Sequence, residues 1–172
     1  MQFSVGDKVI HPQYGPGQIT NIVGSEPSDA ERRYYVIEIP RKGMTVHTPV
    51  GMAGTLGVRL AMSPSRSRRI MDMLGGRPHP LPEDFRARHE QLWEKLGTGQ
   101  ELQLAGVVRD LTWRQTLTHL TKKDSDLLRK ALDLLTSEMA LVSGDTVSEV
   151  REMIGAALSG AAASVGKRRR PE

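Results

Sequence analysis

The hydrophobic period of this chain changes once, near Met62, and that change constrains the fold more than any single motif does. Before it, apolar residues fall in short runs bounded by Gly, Pro, Asn and Asp, the pattern of half-buried strands. After it, apolar residues recur every three or four positions between helix-capping signals. No internal repeat links the two parts. A chain of 172 residues divided this way makes a small β unit followed by a small α unit, each with a modest core.

In the first part, "RRYYVIEIP" alternates Tyr35, Val36, Ile37, Glu38 and Ile39 as a half-buried strand does, "RKG" supplies a turn, and "MTVHTPV" returns as its partner. "DKVIH", "QITNIV" and "GVRLAM" bring the expected strands to five. So few short strands hide their edges only by curling, which predicts an SH3-like or Tudor-like small barrel. Pro12, Pro16, Pro40 and Pro49 fall at the ends of these runs, where a missing amide is tolerated. The segment "YGPGQI" raises a second possibility, a phosphate-cradling loop. That loop requires a helix N-terminus behind it, and a strand pattern follows Gly17 instead, so the hairpin is the better reading.

In the second part, "SPSRSRRIMDMLGG" opens on Ser-Pro and closes on Gly75-Gly76, as a short helix does. "EDFRARHEQLWEKLG" places Phe85, His89, Leu92 and Leu96 at helical spacing. "ELQLAGVVRDLTWRQTL" does the same with Leu104, Val108 and Leu111. Thr121 with Asp124 forms a capping-box pattern before "LLRKALDLLTSEMALV", Gly144 ends that helix, and Thr146 with Glu149 opens the last one. The expected fold class is therefore two-domain β + α: a small β-barrel over residues 1–62, an all-α bundle over 63–165, and a basic disordered tail over 166–172.

Chemistry of the catalytic kind is hard to build from these residues. The chain has no cysteine, which removes disulfides, thiolate metal sites and a thiol nucleophile. Its histidines, at 11, 47, 79, 89 and 119, lack metal-type spacing, and there is no nucleophile elbow, phosphate loop or dinucleotide fingerprint. The expectation is a non-enzymatic binding protein with no cofactor, no metal and no small-molecule substrate. No apolar run approaches a membrane span, and a soluble cytoplasmic protein is expected. The formal charge of +4 is misleading as a sign of nucleic-acid binding, because the last six residues, "KRRRPE", carry four positive charges and one negative. The tail either touches phosphates without specificity or serves as a solvated end.

The order and spacing of "FSVGDKVIHPQYGPGQI", "YYVIEIP", "MTVHTPV", "LPEDFRARHEQLWEKLGTG", "AGVVRDLTWR" and "LTKKDSDLLRKALDLLTSEMAL" resemble the CarD family of bacterial transcription regulators along almost the whole chain. The first unit alone also resembles the polymerase-interacting domain of the transcription-repair coupling factor. This resemblance implies a Tudor-like domain that binds the β subunit of RNA polymerase, and a helical domain that contacts promoter DNA at the upstream edge of the bubble, in its minor groove. It implies a monomer that stabilises the open promoter complex and reaches the nucleoid through RNA polymerase.

Carried onto this chain, the resemblance assigns the polymerase contact to Met44, Thr45, Val46, His47, Thr48 and Pro49, with His47 where relatives commonly have Arg. Ser25 likewise stands where some relatives have a basic residue. Phe85 stands where the family usually has a Trp that wedges into DNA; from pattern alone it would be core beside His89 and Leu92. Arg86 and Arg88 flank it and are expected to hold phosphates, as are Lys122 and Lys123 at the next capped helix. Trp93 and Trp113 are expected in the core or at its rim, with Trp93 also able to lie near DNA. The sequence leaves two other readings open: an adaptor that binds only proteins, and a nucleic-acid-binding module independent of polymerase.

Overall fold

The computed structural model describes residues 2–24 and 33–167, so Ser25 and the residues after Lys167 lie outside the described residues. The chain divides into two compact units, Met1–Met62 and Ser63–Glu172.

The first unit is a five-stranded antiparallel sheet: β1 (Lys8–His11), β2 (Gly15–Val23), β3 (Tyr34–Ile39), β4 (Met44–Pro49) and β5 (Arg59–Leu60). Their order across the sheet is β4-β3-β2-β1-β5. The expected fifth run is shorter than its sequence pattern, since only Arg59 and Leu60 pair with β1. Apolar alternation builds the core: Val9, Ile19, Tyr35, Ile37 and Ile39 are buried with Phe3, Ala53 and Val58. Each buried Val, Ile or Phe side chain among them contributes roughly 1.5–3 kcal/mol by leaving water. Tyr35 also ties down the N-terminal segment, because its hydroxyl accepts from the Phe3 amide at 2.9 Å while the two rings meet edge to face.

The "GPG" segment is the start of β2, as the hairpin reading expects. Gly17 pairs with Val9 and lies so close to β3 that a Cβ there would stand 2.6 Å from the Glu38 carbonyl oxygen. Only glycine allows that approach. The register of β2 against β3 then slips between Ile19 and Asn21, a bulge that bends the strand and helps the short sheet curl over its core.

The second unit is helical: α1 (Pro64–Leu74), α2 (Phe85–Gly97), α3 (Glu101–Leu117), α4 (Lys122–Ser143) and α5 (Val147–Lys167). α5 runs through Lys167, so Gly166 and Lys167, the first two residues of the expected disordered tail, are helical. Ser63 and Asp84 cap α1 and α2 by accepting from Arg66 and Ala87 amides, and Thr146 and Glu149 form both halves of a capping box on α5. α3 is the central helix, buried continuously from Leu104 to Leu111. Leu74, Leu92, Leu135 and Ile154 from the surrounding helices complete the core. The burial of α3 includes Arg109 and Asp110, which pair with each other and hold the His79 segment: Asp110 accepts from the His79 amide at 3.0 Å.

Candidate nucleic-acid and partner interfaces

The expected single apolar stripe of α2 is in fact two. Arg88, Leu92 and Leu96 form the buried row, whereas Phe85, His89 and Trp93 form a second row that faces outward. Phe85 is 37% exposed and Trp93 54%, so neither fills the core and Trp93 is not at its rim. The three rings run in sequence along the helix, with centroids 5.7 Å apart from Phe85 to His89 and 6.2 Å from His89 to Trp93. As the first residue of α2, Phe85 stands at the end of the packed layer, and Arg88 closes the core one turn later in its place.

Arg88 was expected to hold a phosphate, and its environment corrects that reading. Its side chain is 3% exposed and every donor group is engaged within the protein. Nε and Nη2 donate to Asp124 Oδ2 at 3.2 and 3.1 Å, and Nη1 donates to the carbonyls of Pro82 and Glu83 at 2.9 Å each. A buried guanidinium survives only with such satisfaction. Its role is to fix the turn that presents Phe85. Asp124 is drawn into the same lock, which explains why only half of the expected capping box forms. Thr121 accepts from the Asp124 amide at 3.1 Å, but the Asp124 carboxylate faces Arg88 rather than the Thr121 amide.

A second pair steadies the same turn from outside. Arg114 of α3 donates to both carboxylate oxygens of Glu83 at 3.1 Å. This charged hydrogen bond holds the Glu83 carboxyl below the usual carboxylate range and pushes the Arg114 guanidinium up. Asp84 then caps α2. The segment before Phe85 is therefore tied to α4 through Arg88 and to α3 through Arg114.

Cations border the rings on one flank. Lys123 Nζ lies 5.5 Å from the Phe85 centroid and Lys130 Nζ 5.3 Å from that of Trp93. Lys123 and Lys130 are two turns apart on α4, as Phe85 and Trp93 are on α2. Lys122, Lys123 and Arg86 are exposed and free to meet an anion, unlike Arg88. Sequence spacing did not single out Lys130, Glu83 or Arg114, and it read Asp124 only as a cap. Each belongs to a pair formed across the bundle, and no local period marks such a pair.

In the β unit, β4 ends the sheet. Its register against β3 pairs Tyr35 with Thr48, Ile37 with Val46 and Ile39 with Met44. The Val50 amide donates to the Arg33 carbonyl at 2.9 Å, which sets the phase of the ladder. By alternation, the main-chain groups of Thr48, Val46 and Met44 turn toward β3, and those of Thr45, His47 and Pro49 turn away from it. Thr45 and His47 expose their side chains as well, whereas Thr48 is buried at 2%. Among the described residues no strand pairs with the outer side of β4, so the expected polymerase strand offers a free edge at Thr45, His47 and the Pro49 carbonyl, and holds Thr48 inside. Within β4 itself no residue is Asp, Glu, Lys or Arg, an unusual omission for an edge strand of six residues.

Two family profiles cover most of the chain. Residues 3–59 match the CarD-like/TRCF RID domain, and residues 69–155 match the CarD C-terminal domain. The chain belongs to the CarD family. Among its relatives is a Bacillus subtilis (strain 168) protein named "Putative transcription factor YdeB", 27% identical over 151 residues, which span 87% of this chain and 97% of that one. A CarD-family chain is a transcription regulator, and its two matched domains coincide with the sheet and the helices described above. Among the described residues no helix is long and apolar enough to cross a membrane.

Proposed function

We propose that this CarD-family regulator bridges RNA polymerase and promoter DNA without catalysing a reaction, and stabilises the open promoter complex. The β unit, residues 1–62, binds the polymerase β subunit by adding a strand to the free edge of β4. Thr45 and His47 supply the outward main-chain groups; Met44, Val46, Thr48 and Pro49 hold the edge in register. The helical unit, residues 63–165, contacts DNA at the upstream edge of the bubble through Phe85, with Arg86, Lys122 and Lys123 on phosphates. Arg88 positions Phe85 and touches no DNA. Stabilisation follows if these contacts are better in the open than in the closed complex, since only differential affinity shifts an equilibrium. The protein acts as a monomer in the cytoplasm, associated with the nucleoid through polymerase.

The observation that carries this reading is the exposed Phe85 ring, which the fold holds outward with a buried ion pair behind it and a lysine beside it. A ring left half in water and anchored from behind is arranged for an external contact. The test is the lifetime of open complexes formed with core polymerase and its initiation factor, with and without the full chain. The intact protein lengthens it, and Phe85→Ala removes most of the gain while the variant is still retained by polymerase. Retention without any change in lifetime would favour the protein-only adaptor.

A further inference from the structure

The ring stripe of α2 lies between two flanks of unlike charge. On the α4 side are Lys123 and Lys130, each over a ring. Further round α2, on the row that Arg86 begins one turn earlier, Glu90 and Glu94 line an open cleft of about 370 Å³ together with His89 and Trp93. Both glutamates are exposed and neither forms an ion pair with these lysines in the structure. A duplex groove is bordered by two rows of phosphates, and on this face the second row would run against Glu90 and Glu94. A single strand has one row. It can lay its phosphates along the lysines and turn its bases over the rings toward the carboxylates.

We propose that the Phe85–His89–Trp93 face binds an unpaired DNA strand beside the wedge position. Its phosphates follow Lys123 and Lys130, a base stacks on the Trp93 indole, and the exocyclic amine of that base donates to Glu90 or Glu94. Stacking tolerates any base, because every base has a π face. The carboxylates accept but cannot donate, so they favour cytosine and adenine, which carry an amine on that edge, over thymine, which carries a carbonyl. This inference rests on the reading that the α2–α4 face meets promoter DNA, and names the form of DNA it meets: the strand freed by melting. His89 supplies the middle ring and keeps Phe85 and Trp93 in one continuous stack.

The experiment follows the two tryptophan indole N–H signals of the isotope-labelled full chain, assigned with Trp113→Phe, during titration with short oligonucleotides of dC, dA or dT and with a short blunt duplex. The Trp93 signal should move saturably with single strands and little with the duplex. Affinity should be about fivefold or more higher for dC and dA than for dT, the discrimination of one good base-edge contact. Trp93→Ala should weaken single-strand binding by about fivefold or more, the loss of one stacked base. Glu90→Ala with Glu94→Ala should erase the preference among bases while leaving the stacking shift. An unmoved Trp93 signal, or equal movement with duplex, overturns the proposal. Open-complex lifetime with Phe85→Ala separates its failure from that of the wider reading. A shortened lifetime beside an unmoved Trp93 discards only the single-strand assignment, and an unchanged lifetime discards DNA contact by this face and this proposal with it.

Discussion

The two units expose different kinds of group. β4 offers main-chain groups, whose direction follows from strand register alone, and side chains there serve mainly to keep the strand in its sheet. α2 offers side chains, whose direction depends on a buried charge pair between residues 36 apart in sequence. The first kind of surface tolerates substitution, because any residue that can be extended carries the same amide and carbonyl. The second kind is fragile. Loss of one partner in its lock leaves a charge buried without compensation. The contrast teaches that the exposed face of a regulator can be only as robust as whatever fixes its geometry from behind.

The two units should differ most at that lock. Asp124→Ala should cost the helical unit about 3–5 kcal/mol, since it leaves the Arg88 guanidinium unpaired. Both tryptophans, Trp93 and Trp113, lie in α2 and α3, so tryptophan fluorescence in urea reports this unit and leaves the β unit silent. Replacing both partners by apolar residues, Arg88→Met with Asp124→Leu, should recover much of the loss while leaving Phe85 less well placed. An Asp124→Ala variant as stable as the parent would show that the two units do not differ in this respect.

The β unit has its own sensitive point, and it is steric rather than electrostatic. Gly17→Ala would set a methyl group 2.6 Å from the Glu38 carbonyl oxygen and from the Ile39 side chain. Backbone cannot yield as a flexible side chain can, so the strands should part at a cost of about 1–3 kcal/mol. Faster amide exchange in β2 and β3, with the helices unaffected, is the expected signature. Phe85→Ala should act in the opposite sense: little loss of stability for a partly exposed ring, but a cost of about 1–3 kcal/mol in the promoter complex, or roughly tenfold in lifetime. Phe85→Trp should be tolerated by the fold, because the ring has solvent to grow into.

Smaller effects sharpen the difference. His47→Pro removes an outward amide without removing a ladder bond, and should weaken polymerase binding by about 0.5–1.5 kcal/mol with the sheet intact. His47→Ala keeps the amide and should do less. Val46→Pro removes a bond to β3 and should disturb the sheet itself. If His47→Ala costs as much as His47→Pro, side-chain contact rather than edge pairing carries the interaction.

The smallest effect concerns pH. His11 is buried, its Nδ1 accepts from the Gln13 and Tyr14 amides, and burial, with Lys42 nearby, holds its pKa below the ordinary 6.5. Folding therefore favours neutral His11. Its contribution is fully present above pH 6.5 and declines as the pH falls toward the lower folded value, because the unfolded chain binds the proton first. A urea series for the β unit should show this decline in the parent and not in His11→Asn.

Much of the architecture was legible because local rules and tertiary structure agreed. α3 begins and ends where its pattern does, at Glu101 and Leu117, and Thr146 with Glu149 forms the capping box their spacing announces. Agreement failed where one residue had two possible partners. Asp124 could cap its own helix or pair with Arg88, and burial decided for Arg88, since an unpaired guanidinium in the core costs far more than half a cap. Phe85 fits the apolar period of α2, yet period gives only an angle around the helix. Whether anything covers that angle depends on where the neighbouring helices end.

The sequence by itself determined the two periods, the change near Met62, the turns and caps, and the alternating residues that become the β core, because all of these depend on neighbours within a few positions. Only the tertiary structure decided that Arg88 is a support and not a phosphate ligand, that Phe85, His89 and Trp93 share an outward stack with Lys123 and Lys130 beside it, and that Thr45 and His47 carry the free edge of β4. Those outcomes depend on which groups remain exposed after distant segments have packed and paired. Exposure and long-range ion pairing are properties of the assembled unit, and no single segment carries them.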